Sequence, residues 1–581
     1  MHQSAGQTCP DEALSHRPRP LQPPPDAHTV AGKVICGYQG WFGTPTDASG
    51  EHVWRHWGGG SPEHLDRVSF ELYPDIREYS DDQLHPTGYR PHGNGQRSAL
   101  FSAYSAETVN THFRWMAEYG IDGVAVQRFF GDIPSPRMRQ VMQNVRQAAE
   151  AYGRVFYICY DISGGGGEHF VSRMKEDIDR LREWVVDSPA YLHEGDRPVL
   201  QIWGFGVKGN CRCEPEQAVQ VARYAREQGF YLIAGTPAQF REGGVDSRPE
   251  FAPVYDLFDM ISPWQVGRFR RCEQVAPYYD ERLRPDGEYC AARGQGYMPV
   301  LYAGFAWSLW LNGPANAIPR LGGRFLWEQV KAMDKIKTTA LYIAMFDEYD
   351  ESTAIMKAAE DSSQIPQGRY FLTTCADGTF VSGDFYLRLV GKLTALYRDG
   401  APIPDEVPVP LADGPVYWRS GFEEKTDAMP TVTRMEMQGA HLDARVMVTE
   451  QAHTGRSALQ VSAWPRSKED NHALLGLIDL GGLKATPGLT LRVYVRALNA
   501  GGRRVVWDAQ TSDGEWLSQT DAAKLPGIDP EQDAVSSGEW EKLLLPIGRY
   551  LEGKAIQTIA LRVQDLHANG MLLIDDVLLY E

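Results

Sequence analysis

The sequence lacks any run approaching the roughly 18 consecutive apolar residues that a membrane-spanning helix needs. It lacks basic clusters too. Against 76 Asp and Glu stand 58 Lys and Arg, a formal net charge of −18, and that balance repels phosphate backbones. Nucleic acid is therefore not an expected partner. Cysteine is scarce, eight in 581 residues, too few for a disulfide scaffold. Cys36 and Cys159 fall in apolar runs and read as buried thiols, whereas Cys211-Arg212-Cys213 and the pair Cys272 and Cys290 lie in loop-like segments open to oxidation. A C-x-C without a second pair is a poor zinc signature, so a metal ranks behind a disulfide or a free thiol here. Residues 1–29 lack the apolar centre of a signal peptide and read as a Pro-rich flexible or extended arm. No internal repeat of fixed period is present.

Aromatic residues, by contrast, are plentiful: 11% of the chain, with 15 tryptophans. They suit either a large core or flat platforms for sugar rings. From residue 30 to 398, short apolar runs alternate with segments of helical period. The runs are Val34–Gln39, Gly123–Phe129, Val155–Asp161, Pro198–Trp203, Tyr231–Gly235, Asp259–Trp264, Pro299–Gly304 and Ala340–Phe346. Near-continuous apolar runs suit strands buried on both faces of a parallel sheet. Between them, helices show readable ends: Ser105 before Ala106–Tyr119 and Gly120 after it, Pro136 opening a helix that Gly153 stops. Eight strands alternating with helices predict a (β/α)8 TIM barrel over 30–398. A doubly wound open sheet is the alternative, but no glycine-rich phosphate turn follows the first run. Residues 399–414 form a Pro-rich linker. From 415 to 581, strand-like runs separated by Gly, Asn, Asp and Pro predict an all-β sandwich of jelly-roll type.

Barrel enzymes carry their chemistry where strands end and βα loops begin. Those ends hold Tyr38, Gln39 and Trp41; Gln127; Asp161; Trp203; Trp264 and Gln265; Trp307; and Asp347, Glu348 and Glu351. His56 and Trp57 lie in the long insertion after the first strand, where loops build the cleft but a lone histidine is more often structural than functional. No Ser/His/Asp set, Cys/His pair or His-rich metal group gathers at these ends. Carboxylates, amides and rings do, and glycosidic cleavage needs that set. The sharpest signal is Asp347-Glu348-Tyr349-Asp350-Glu351, four acids in five residues. Mutual repulsion would keep a proton on one of them near neutrality. The competing reading is that they cap a following helix.

Here the chain resembles bacterial relatives of glycoside hydrolase families 71 and 99. The residues that carry the likeness are Gly37-Tyr38-Gln39-Gly40-Trp41-Phe42, Trp54-Arg55-His56-Trp57, Glu71-Leu72-Tyr73-Pro74-Asp75, Tyr119 to Val124, Arg197 to Leu200 and Phe385 to Leu389. Family 99, of endo-α-mannosidases and endo-α-mannanases, has Glu-Trp-His-Glu where this chain has Glu348-Tyr349-Asp350-Glu351. The resemblance implies retention through a 1,2-anhydro sugar, with Glu348 as base on the 2-hydroxyl and Glu351 as general acid, then base. It implies no catalytic cofactor and favours an α-mannoside-like poly- or oligosaccharide, though Tyr349 and Asp350 depart from the motif. Gly421-Phe422-Glu423-Glu424 and Ile574-Asp575-Asp576-Val577 resemble jelly-roll carbohydrate-binding modules, which implies a structural Ca2+ on Glu423 and Asp576; Trp507 and Trp516 are candidate stacking residues, and a domain that merely covers the barrel is the equal alternative. A secreted, periplasmic or cell-surface location follows from that substrate class. The rival functions are a non-catalytic glycan-binding barrel and, more remotely, a metal-dependent hydrolase. Oligomeric state is not readable.

Overall fold

The structure, a computed structural model, describes residues 19–92, 95–244, 246–360, 364–377, 379, 381–411, 416–420, 433–435, 442–449, 451–452, 458–465, 473–486, 489–499, 505–517, 540–545, 547–563 and 570–580. They fall into two compact units: Arg17–Thr374 with Gly383–Val409, and Pro410–Glu581 with Cys375–Ser382.

The first unit is built on parallel strands: β1 (Val34–Tyr38), β2 (Gly123–Phe129), β3 (Val155–Asp161), β4 (Arg197–Trp203), β5 (Tyr231–Thr236), β6 (Met260–Pro263), β7 (Gly296–Tyr297 with Val300–Tyr302) and β8 (Leu341–Ala344). Each of β1 to β5 pairs in parallel with the next strand, and β8 pairs with β1. The two pieces of β7 stand at opposite ends of the sheet, one on β6 and one on β8. They are one strand broken at Met298-Pro299. Met298 N–H still bonds Ile261 O at 2.9 Å, and Tyr342 N–H bonds Pro299 O at 3.0 Å. The nine-strand sheet therefore curls on itself and fits a (β/α)8 barrel. Its strands are buried on both faces, which is why they read as continuous apolar runs.

Helices follow the strands: α1 (Ala106–Tyr119), α2 (Pro136–Tyr152), α3 (Phe170–Leu181), α4 (Pro215–Glu227), α5 (Ala252–Tyr255), α6 (Cys272–Tyr278), α7 (Arg284–Ala292), α8 (Arg324–Met333) and α9 (Phe385–Asp399). Local chemistry sets their ends. Ser105 and Ser135 accept the first free amides of α1 and α2 through their side chains, and Gly120 and Gly153 end them at φ +76° and +59°. Among the described residues no helix is long and apolar enough to cross a membrane.

Residues 19–29 form no helix or strand, but they are not free. The Arg154 guanidinium donates to Gln22 O at 2.8 Å and Pro23 O at 2.6 Å, and His193 N–H donates to Ala27 O at 2.7 Å. The flexible reading of the arm gives way to a docked segment over these residues.

The second unit holds two antiparallel sheets. In one, the strands run 442–449, 458–465, 570–580, 490–497 and 541–545, with 416–420 also on 570–580; in the other they run 433–435, 473–484, 555–563 and 505–511. Leu491, Val493 and Ile574 from the first share one core with Trp507, Ile559 and Leu561 from the second. Trp507 is thus a core residue and cannot stack a sugar. Trp516 lies under the Arg562 guanidinium, 5.7 Å from the ring centroid. Glu423 lies outside the described residues, as does the side chain of Asp576.

Candidate active site

A cavity of about 350 Å3 opens where the strands end. From the predicted set it collects Trp41, Gln127, Asp161, Trp203, Trp264, Glu348 and Glu351. The lining also includes Gln39, read at the first strand end, and Phe129, Cys159, Ser163, Gln201, Asn210, Trp310, Tyr342 and Met345, which the sequence did not single out.

Along a strand successive side chains point to opposite faces, so Gln127 and Phe129 enter from β2 while Arg128 between them does not. Beyond the strand ends the loops decide. Gln39 and Glu348 enter; Tyr38 and Asp347 do not. Tyr38 turns outward, its hydroxyl 2.9 Å from His112 Nδ1 on α1. Asp347 accepts the backbone amides of Gln39 at 2.7 Å and Gly40 at 2.8 Å, clamping the start of the β1 loop onto β8. Trp264 enters, whereas Gln265 is fully buried and accepts the Tyr278 hydroxyl at 2.5 Å. Gln127 enters and bonds the Tyr342 hydroxyl at 2.9 Å, while Arg128 turns out to Asp177 on α3.

Three other predicted residues stand off the cavity. Trp57 is fully buried among Phe42, Phe70, Phe101 and Tyr349, its indole N–H on Phe101 O at 3.0 Å. Trp307 packs edge-on against Phe305, ring centroids 4.8 Å apart. His56 forms a second layer: it stacks on Trp41 with centroids 3.7 Å apart and planes 7° from parallel, and its Nδ1 lies 3.1 Å from Asp350 Oδ2. It does so at φ +60°, a conformation that costs a non-glycine residue about 1 kcal/mol or more.

The acidic segment does not cap a helix, since residues 347–360 contain none. It is a tight loop. Glu348 O accepts from Thr353 N–H and Ala354 N–H, Ala306 N–H donates to Glu351 O, and Arg320 donates to Ser352 O at 2.8 Å and Ala354 O at 2.6 Å. The Glu348 carboxylate is buried and held at both oxygens, by the Gln39 amide at 2.8 Å and the Thr353 hydroxyl at 3.0 Å. Burial, then the charges of Glu351 and Asp350, push its pKa well up, and the Thr353 bond opposes them. Burial and then Asp350 push Glu351 up to about 8. Burial lifts Asp161 to about 6 against its bonds from Ser163. The site therefore retains protons at neutral pH, as two carboxyl groups in one poorly hydrated pocket must.

Three polar atoms of lining residues are buried with no protein partner: Gln39 Oε1, Trp41 Nε1 and Trp203 Nε1. Buried polar atoms are ordinarily satisfied, so these suit a ligand that carries its own donors and acceptors. Among the described residues no group of three or more His, Cys, Asp or Glu is disposed to hold a metal ion. All seven described cysteines are free thiols, those of Cys211 and Cys213 lying 2.7 Å apart.

No family model matches the chain, and no curated protein matches it. Solved structures do. The GH99 endo-alpha-mannosidase from Bacteroides thetaiotaomicron aligns with TM-score 0.47 and 15% identity, over 64% of this chain and 99% of that one. A glycoside hydrolase-like protein aligns with TM-score 0.40 and 12% identity, over 66% and 98%. GH5_18 from Streptomyces cattleya, in complex with GlcNAc, aligns with TM-score 0.34 and 14% identity, over 52% and 77%.

Proposed function

We propose that the chain is a glycoside hydrolase acting on a poly- or oligosaccharide, an α-mannoside-like one being favoured. The observation that carries this is the meeting of Glu348 and Glu351 in one cavity walled by Trp41, Phe129, Trp203 and Trp264. Flat rings suit the C–H faces of a sugar, and the unpartnered indole N–H groups and amide oxygen suit its hydroxyls.

The hydrogen bonds separate the two acids. Gln39 and Thr353 both donate to Glu348, which favours its anion against the burial and the Glu351 charge that raise its pKa; no described side chain donates to Glu351, and in this reading its carboxyl keeps the proton. Glu348 then takes the proton of the sugar 2-hydroxyl while O2 attacks C1 and the C1–O bond to the leaving sugar breaks. Glu351 gives its proton to the departing oxygen. In the second half Glu351 takes a proton from water, which opens the 1,2-anhydro ring, and Glu348 returns its proton to O2. The configuration at C1 is retained and no metal or cofactor enters the scheme. What supports this route over a covalent one is the resemblance of Glu348-Tyr349-Asp350-Glu351 to the family 99 motif. In the same reading the second unit is a jelly-roll module of carbohydrate-binding type, and the protein works outside the cytoplasm, where such glycans occur.

The test is a panel of mannans, xylans, arabinans and host-type glycans, followed by chromatography of products. Glu348→Gln and Glu351→Gln should each lower turnover of the cleaved glycan by about a hundredfold to ten-thousandfold without altering the fold. Full activity in either variant refutes the roles. Affinity without any product, even on long incubation, would make the barrel a glycan-binding protein instead.

A further inference from the structure

Among the described residues few large apolar side chains face solvent, and three of them belong to, or are tied to, the loop that follows β7. Trp310 is 44% exposed, Leu311 54% and Tyr370 49%. Scattered singly, such residues need no explanation; an exposed apolar group beside a cavity does. Trp310 is moreover part of the cavity lining, so this rim continues the wall that holds the two glutamates.

The rim is held firmly. Trp310 and Leu311 sit on the short turn Ser308–Leu311 after β7, which Asn312 ends in the left-handed region at φ +55°. Beneath it lies Glu71, fully buried, whose carboxylate accepts Ser308 N–H at 2.7 Å, Asn316 N–H at 2.8 Å and the Tyr370 hydroxyl at 2.7 Å. One buried carboxylate thus ties together the start of the Trp310 turn, the chain at Asn316 beyond it and the hydroxyl of Tyr370. A carboxylate is tolerated in such a place only when donors surround it, and these donors belong to the segments that present the exposed rings. Phe305 and Ile318 exchange backbone bonds at the base of the loop, N to O at 3.1 and 2.8 Å. A binding platform fixed beforehand loses little entropy when it is occupied.

We infer that Trp310, flanked by Leu311 and Tyr370, is a stacking platform for a sugar unit next to the one whose bond is cleaved, so that the site takes a chain of linked sugars rather than a single residue. This rests on the glycosidase reading and adds the length of the substrate to it. A terminal sugar bound by the inner cavity alone would leave the outer rings without a partner. A chain running outward from Glu348 and Glu351 would cover them.

The experiment uses the full-length Glu351→Gln protein and a ladder of mono- to pentasaccharides prepared from whichever panel glycan the wild type cleaves, or binds if none is cleaved. Isothermal titration should show affinity rising with chain length. Adding Trp310→Ala should reduce that rise by about tenfold or more, as loss of a tryptophan anchor does. Trp310→Tyr should restore most of it. Leu21→Ala, at a 54% exposed side chain of the docked arm away from the cavity lining, is the control and should leave the ladder unchanged. An unaltered dependence on length in Trp310→Ala overturns this inference and leaves the glycosidase intact. If the wild type neither cleaves nor binds any panel glycan, the glycosidase reading falls and the platform with it.

Discussion

Gln39 and Glu348 meet across the junction of β1 and β8, amide nitrogen to carboxylate oxygen at 2.8 Å. The contact exists because β1 and β8 pair in parallel and their loops leave the barrel side by side. It places a neutral donor on an acid that burial and Glu351 push toward protonation. Gln39→Leu removes that donor at similar size. The prediction is a loss in kcat of about ten- to hundredfold, the worth of one hydrogen bond to a charged group, with a smaller rise in KM from the lost amide oxygen. Steady-state kinetics on the cleaved glycan checks it. A loss confined to KM would mean that Gln39 binds substrate and does not support Glu348.

The barrel was legible in the sequence because strands buried on both faces leave unbroken apolar runs, and its helices because Ser105, Pro136, Gly120 and Gly153 mark their ends. The break in β7 at Met298-Pro299 left no such mark. The cavity was legible only by segment. Both members of a strand-end pair look equally polar or aromatic in sequence, yet the path of the loops admits Gln39, Trp264 and Glu348 and turns away Tyr38, Gln265 and Asp347. Trp307 and Trp310 are alike on paper; a four-residue turn decides which reaches the cavity. Asn210 and Ser163 come from glycine-containing loops whose path no periodicity reveals. Their one sequence signal was position, just beyond a strand that ends in Asp161 or Trp203.

His56 should matter without touching substrate. It backs Trp41 with a parallel stack and gives Asp350 its partner. Burial raises the pKa of Asp350, and the bond to His56 opposes that rise. In His56→Ala the indole of Trp41 loses one face, a stack worth roughly 0.5–1.5 kcal/mol. KM should rise by about two- to tenfold. Trp41 fluorescence should respond as well. An unchanged KM would show that the Phe129 stack on Trp41, centroids 5.0 Å apart, suffices to hold the ring.

Arg154 tests whether the docked arm contributes to the barrel's stability. Its guanidinium is almost fully buried and bonds the carbonyls of Ile121, Gln22 and Pro23. Arg154→Ala frees residues 19–29 from this anchor and leaves three carbonyls short of a donor. A loss of about 2–3 kcal/mol is expected, read as a lower urea midpoint. Glycan affinity of the folded protein should not change, because no arm residue lines the cavity.

The pH dependence follows from the direction of the shifts. Glu351 moves from its ordinary 4.5 up to about 8, Asp347 from 3.8 up to about 7 and Asp161 from 3.8 up to about 6, burial being the leading cause each time. Between the ordinary and the raised value the folded chain holds protons that the unfolded chain has released, so folding becomes less favourable as pH rises. The contribution is complete below about pH 4 and is lost progressively up to about pH 8 as each raised value is passed. Thermal melts of the wild type should therefore show a midpoint that falls from pH 5 to pH 8. Glu351→Gln removes the group with the highest printed value, so its melting curve should fall less over that interval and lie above the wild type at pH 8. Activity gives an independent reading of the same proton: kcat/KM should decline as pH passes about 8 and the general acid ionises. A wild-type midpoint that rises with pH across this range would place the protons on other groups and take the acid role from Glu351.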